Sequence, residues 1–128
     1  MSFQADIYTA LTDDTTIAGL VSDRVFADVA DGSTATPYIV YQVISTGGET
    51  THDGNRSLEF PLVQFSAWAD SKSEAIALGS AINTLLDGNT LPGDSAITFV
   101  FSDQQGRHDP ETNLFGETLD YRGACNRN

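Results

Sequence analysis

The chain has 128 residues, 40% of them hydrophobic, with seven Phe, four Tyr and one Trp. That is the size of one domain, residues 1–128, and it excludes the low-hydrophobicity composition of a disordered chain. Eighteen acidic against six basic side chains give a formal charge of -12; the six (Arg24, Arg56, Lys72, Arg107, Arg122, Arg127) form no patch along the sequence, which argues against direct nucleic-acid binding, because that affinity comes mainly from cations displacing phosphate counterions.

Phe3, Ile7, Tyr8 and Leu11 recur at helical spacing and predict an amphipathic N-terminal helix, with Ser2 as its cap. Asp13, Asp14 and Thr15 offer capping oxygens for a second, short helix whose apolar face is Ile17, Leu20 and Val21, after which Arg24-Val25-Phe26 starts a short strand. Residues 28–36 have loop chemistry, closed by Pro37. Tyr38 to Ile44 is β-branched and aromatic almost throughout, as expected of a strand covered on both faces or placed at a subunit contact. The polar, glycine-containing stretch from Ser45 to Ser57 reads as a mobile arm or loop.

A second long strand spans Leu58 to Ala69, with Val63, Phe65 and Ala67 on one face; Pro61 puts its start at an edge or bulge. Ser71 and Glu74 have capping-box spacing and open a helix whose buried face is Ala75, Leu78, Gly79, Ile82, Leu85 and Leu86, stopped by Asp87-Gly88-Asn89. Two further strands, Ala96 to Ser102 (Ile97, Phe99 and Phe101 on one side) and Leu114 to Gly123 (Phe115, Leu119 and Tyr121 on one side), read as a hairpin. The polar link between them, residues 103–113, reads as a long loop with an Asp-Pro turn inside it. Grouped strands without regular βαβ alternation predict an α+β fold: a mixed, mostly antiparallel sheet of four to five strands with an N-terminal helix and one longer helix packed on one face.

Catalytic chemistry finds little support. His52-Asp53 and His108-Asp109 are the only histidine sites, and a metal needs three or four such ligands converging; solvated turns are the preferred reading. Gly79-Ser80 lies mid-helix, without the strained turn of a nucleophilic serine. The sole lysine, Lys72, follows no phosphate-cradling glycine loop. Asp28, Asp31 and Gly32 lack the alternating oxygens and distal Glu of a calcium loop. Cys125 cannot form an intramolecular disulfide and reads as a bystander thiol, consistent with a reducing compartment. The N-terminus lacks signal-peptide character, and no apolar run approaches the roughly 18 to 20 residues of a membrane span. No enzyme activity, cofactor, metal or membrane association is expected. Two long polar segments beside an apolar strand suit a protein that offers edges and loops to neighbours.

Taken in order, Arg24-Val25-Phe26, Pro37-Tyr38-Ile39-Val40-Tyr41-Gln42, Val63-Gln64-Phe65-Ser66-Ala67-Trp68-Ala69 with Glu74-Ala75 and Leu85-Leu86-Asp87-Gly88, and finally Asp109-Pro110-Glu111-Thr112 with Asp120-Tyr121-Arg122, resemble the tail completion, or tail terminator, proteins of long-tailed bacteriophages over about residues 5 to 122. The resemblance implies a structural virion subunit that forms a ring, typically a hexamer, at the head-proximal end of the tail. Such a ring stops tube growth and gives the head connector a docking surface. The implied partners are sister copies, the tail tube protein and a head-tail connector or stopper protein, with DNA passing through the channel without specific binding. The implied location is the virion tail, reached from the host bacterial cytoplasm. The expected interface or channel-lining loops carry Asp28, Asp31, Glu49, His52, Asp53, Arg56, Arg107, His108, Asp109 and Glu111. Alternatives are another head-tail connector or minor tail component, and an acidic inhibitor that imitates DNA.

Overall fold

The computed structural model describes residues 3–30, 34–50, 56–93 and 95–126, with side chains for all of these except 47–50, 56–58 and 126. Helices α1 (Phe3–Asp13) and α2 (Thr15–Val21) come first, then strands β1 (Val25–Ala27), β2 (Tyr38–Thr50) and β3 (Arg56–Ala69), helix α3 (Lys72–Leu86), and strands β4 (Thr98–Asp109) and β5 (Leu114–Asn126). The strands form one sheet in the order β1-β2-β3-β5-β4, parallel between β1 and β2 and antiparallel elsewhere. The fold is therefore the α+β arrangement expected from the grouping of strands.

Local chemistry sets the helix ends. The Asp14 carboxylate accepts from the Ile17 N–H (3.0 Å) and caps α2, and the Ser71 hydroxyl accepts from the Glu74 N–H (3.2 Å) and caps α3; such caps satisfy backbone donors that the helix itself leaves unpaired. Asn89 closes α3 by donating to the Leu85 carbonyl at 2.9 Å. Ser2, the expected cap of α1, lies outside the described residues.

All three helices lie on one face of the sheet. That face is built from Ile39 and Tyr41 of β2, Val63, Phe65 and Ala67 of β3, Leu119 and Tyr121 of β5 and Phe99 of β4, all buried, with Ile7, Leu11, Ile17, Val21, Leu78, Ile82 and Leu86 of the helices above them. Period-two alternation along each strand meets period-3.6 alternation along each helix, and their common side is the core. Phe65 is its hub, with ring centroids 5.6 Å from Tyr121, 5.9 Å from Phe99 and 6.3 Å from Tyr41. Two residues assigned to apolar helix faces, Tyr8 and Leu20, are instead exposed, because α1 and α2 are covered on one side only.

A buried polar staple joins the first helix to the segment before β4. Asp6 in α1 accepts from the Ser95 backbone N–H at 3.1 Å and from the Ser95 hydroxyl, and both residues are buried. It pins the first helix to the segment that enters β4.

Three expectations are corrected. Residues 45–50 and 56–57 are not loop: β2 continues to Thr50 and β3 begins at Arg56, paired as far as Thr50 with Arg56, while 51–55 lie outside the described residues. Residues 103–109 are likewise strand, since β4 runs to Asp109 and only a short turn separates it from β5. Polar sequence does not prevent strand formation when an adjacent strand supplies the ladder hydrogen bonds. Pro61 is buried within β3, the middle strand of the sheet, and not at an edge; the β3–β5 register skips Phe60 and Pro61, as expected where a proline has no N–H to give. Removing core volume tests the packing: Ile82→Ala should cost about 2 to 5 kcal/mol in a chemical-denaturation experiment, and a cost near zero would mean that α3 does not rest on this core.

Candidate assembly surfaces

Among the described residues, the opposite face of the sheet carries no helix. Tyr38 and Val40 of β2, Leu62, Gln64, Ser66 and Trp68 of β3, and Leu114 of β5 are all half-buried there, with Asp120 accepting from the Gln64 amide at 3.0 Å. This explains the apolar run of β2: Ile39 and Tyr41 face the core, while Tyr38 and Val40 line the bare side. A cleft of about 300 Å³ opens on this face, between the segment after β1 and the β4–β5 turn, with Asp28, Tyr38, Val40, Trp68, Asp109 and Leu114 among its walls. Burial, followed by the nearby Asp109 carboxylate, raises the Tyr38 phenol above its ordinary range and keeps it neutral.

Trp68 lies across β5 at Gly116, where a Cβ would sit 2.9 Å from the indole ring. Glycine is needed at 116 because the ring occupies the space of a side chain. The chain has one Trp, so its fluorescence reports this face alone. Gly116→Val should dislodge the indole, red-shift the emission and lower stability; an unchanged spectrum would contradict this packing.

Two polar strand extensions are paired into the sheet, the second of them alongside the buried residues 116–119 of β5. β2 and β3 continue through Thr46, Gly47, Gly48 and Glu49, paired with Pro61, Phe60, Glu59 and Leu58. β4 and β5 continue through Gln104, Gln105, Gly106 and Arg107, paired with Leu119, Thr118, Glu117 and Gly116. Polar contacts tie the second extension to the body. Glu117, buried, accepts from the Gln104 amide at 2.7 Å and stands 3.7 Å from the Lys72 ammonium at the start of α3. Arg107 donates to the Thr118 hydroxyl at 2.9 Å on the bare face.

Of the residues singled out from the sequence, Asp28 follows β1 with φ 68, is exposed, and its N–H donates to the Tyr41 carbonyl. Asp109 ends β4 and accepts from the Glu111 N–H at 3.0 Å, forming the turn in which exposed Glu111 sits. Asp28 and Asp109 meet at the cleft. Arg107 and His108 belong to β4, and Glu49 and Arg56 to the β2–β3 extension, so these four are on strands and not on loops. His108 is exposed, its ring 4.7 Å from Phe115 and its Nε2 2.9 Å from Asn113 Oδ1. Asp31, His52 and Asp53 lie outside the described residues. Among the described residues no three His, Cys, Asp or Glu side chains come together as metal ligands, and no helix is long and apolar enough to cross a membrane. Sequence reasoning missed Asp103 and Asp120 as residues of the helix-free face, while strand alternation had put Trp68 opposite Phe65. The alternation that would have exposed Asp103 was hidden by reading its segment as a loop.

The family model of tail completion protein gp17 matches residues 5–124. The chain belongs to this family. It is a structural family of phage-like tails and virions, and not an enzymatic one. Two solved chains share the fold of this family member. One, from the virion of a native gene transfer agent particle, superimposes with a TM-score of 0.81 at 19% identity, over 98% of this chain and 96% of its own. The other does so with a TM-score of 0.66 at 14% identity, over 98% and 94%. No curated protein matches the sequence.

Cys125 is buried near the C-terminal end of β5, and its pKa is raised first by burial, then by the Glu59 and Asp6 carboxylates. The thiolate is the reactive form, so both access and charge oppose reaction. A thiol reagent at about pH 8, near the ordinary cysteine pKa, should modify the native protein far more slowly than the denatured one; equal rates would place the thiol on the surface.

Proposed function

We propose that this chain closes the head-facing end of a phage or phage-like tail tube as a ring of sister subunits, six in number, which stops tube growth and presents the surface on which a head connector or stopper protein docks. The observation that carries this reading is the match to the tail completion family over residues 5–124. Its likeness in fold to a chain of a gene transfer agent virion is consistent with a place in such a particle. The two paired extensions support it physically, since their polar outer strands offer exposed edges to a neighbour. Electron microscopy of the protein mixed with its own tail tubes should show six-fold rings at one end of each tube, and tubes assembled without it should lack a defined length. Tubes that end normally in its absence would sink the reading.

On this reading Arg56, Arg107, His52 and His108 contribute to contacts between proteins, while Asp28, Asp31, Glu49, Asp53, Asp109 and Glu111 border the path of the DNA. The formal charge of -12 favours a channel to which phosphates do not adhere. At physiological salt the screening length is only roughly 8 Å, so only acids at the channel wall itself would act. Changing those six acids to Asn or Gln should leave tails assembled and slow DNA ejection; normal tails that eject at the usual rate would remove the channel role.

A further inference from the structure

The sheet ends in two half-open edges. On one side β1 covers β2 only at Ile39–Tyr41, with Asp28 adding a bond to the Tyr41 carbonyl, so the outer edge of β2 from Gln42 to Thr50 has no neighbouring strand among the described residues. On the other side residues 87–91 cover the start of β4. The Phe99 N–H donates to the Asn89 carbonyl, the Gly88 N–H to the Phe99 carbonyl and the Phe101 N–H to the Asp87 carboxylate. Beyond Phe101 the outer edge of β4 is bare to Asp109, and residues 100–108 are all exposed. Unpaired edges of this length are templates for another strand, and proteins ordinarily blunt them with proline, lysine or a covering element. Neither open stretch contains a proline or a lysine.

We propose that sister subunits join edge to edge, the open half of β4 in one copy pairing antiparallel with the open half of β2 in the next, with Thr46 opposite Gly106. This rests on the ring reading above and gives it a specific contact.

Three independent features agree. First, the four long strands alternate in direction across the sheet, from β2 through β3 and β5 to β4, so placing β4 against the next β2 continues the alternation. Two different edges of one subunit meeting in this way make a heterologous contact, the type that closes into rings. Second, hydrogen bonding agrees. Phe99 and Phe101 direct their N–H groups outward, and the one-residue bulge between Phe101 and Asp103 shifts that role to Gln104, Gly106 and His108. On β2 the Ile39 N–H and Tyr41 carbonyl point outward, and the bulge between Val43 and Ser45 shifts the role to Thr46 and Gly48. Thr46 against Gly106 therefore sets free donors and acceptors face to face, and Gly48 against Gln104 does the same.

Third, the stagger fits closure. Gln42, Gln64, Asp120 and Asp103 share one level across the sheet, and at every other level where both β2 and β4 run, one of the two edges is already covered. Level pairing is blocked, and the open halves meet only if the neighbour is displaced by about six residues, roughly 20 Å at 3.3 Å per residue, across four strands of roughly 19 Å total width. That displacement tilts the strands by about 45°, within the range that closed sheets require.

The register puts Ser45 directly opposite Arg107 of the next copy as a non-hydrogen-bonded pair, with Cα atoms about 4.5 Å apart, inside disulfide range. Within one subunit these residues stand three strand spacings apart, at least roughly 14 Å, so a disulfide between them joins only different copies. In a Cys125→Ser background, Ser45→Cys with Arg107→Cys, assembled on tail tubes and oxidised, should run on a non-reducing gel as a ladder up to the covalent ring; either cysteine alone should give monomer. Independently, in the unmodified protein, the outward amides of Gln104, Gly106, His108, Thr46 and Gly48 should exchange at least tenfold more slowly on tubes than in the free chain. Normal rings that give monomer on the gel and no added protection at these amides would overturn edge pairing and leave the ring reading standing. Tube ends without rings would overturn both.

Discussion

Strand β3 is the constraint on which the rest depends. It is paired on one side with β2 and on the other with β5, and its alternation puts Val63, Phe65 and Ala67 against the helices and Leu62, Gln64, Ser66 and Trp68 on the far side. Phe65 joins three strands besides its own through ring contacts with Tyr41, Phe99 and Tyr121. The two edge-to-face pairs among them, with Phe99 and Tyr121, add roughly 0.5 to 1.5 kcal/mol each beyond the area they bury. A register slip of one residue would send Phe65 to the bare face and Trp68 into the helices, so the core and the surface are fixed by the same choice. Once β3 is set, α3 has one place to rest, and β2 and β5 must carry their own partners outward.

The polar contacts inside the fold serve alignment more than cohesion. Asp6 with Ser95 closes the N-terminal helix onto the entrance of β4, and Glu117 with Gln104 and Lys72 holds the middle of that strand against the start of α3. The Lys72 ammonium is largely exposed and stands 3.7 Å away, so the neutral donor Gln104 at 2.7 Å does more to satisfy the buried carboxylate. β4, an outer strand that is mostly exposed, is thereby held just before its start and at its middle, with Phe99 and Phe101 its apolar contacts to Tyr121.

What was legible in the sequence was whatever a core periodicity marks. The order of elements, the face of α3, the caps at Asp14 and Ser71, and the inward set on β3 all follow from local spacing. The continuations of β2 and β4 did not, because Thr46-Gly47-Gly48-Glu49 and Asp103-Gln104-Gln105-Gly106 bury little and have low strand propensity. They are strands because a neighbour supplies their hydrogen bonds, which no window of local sequence reports. Pro61 misled for the same reason. A proline is excluded from a middle strand only where its missing N–H is needed, and the β3–β5 pairing passes over that position. Asp6 looked like an ordinary surface acid in the first turn of a helix; its partner lies 89 residues away.

The two bulges deserve a common explanation. One falls between Val43 and Ser45, just past the last residue of β2 that β1 covers, and the other between Phe101 and Asp103, just past the last residue of β4 that the 87–91 segment covers. Through the sheet register they stand at nearly the same level. A bulge bends its strand and increases the local twist, so on both outer strands the direction changes where cover by the chain's own elements stops. The extra residues, Ile44 and Ser102, are exposed, which shows that neither bulge exists to improve the core. Bending the uncovered halves away from the covered ones separates the part of each strand whose outer edge is covered within the subunit from the part whose outer edge is not. Water satisfies the outward N–H and C=O groups in the free chain, so they cost little until a partner strand replaces that water, and the gain then belongs wholly to association.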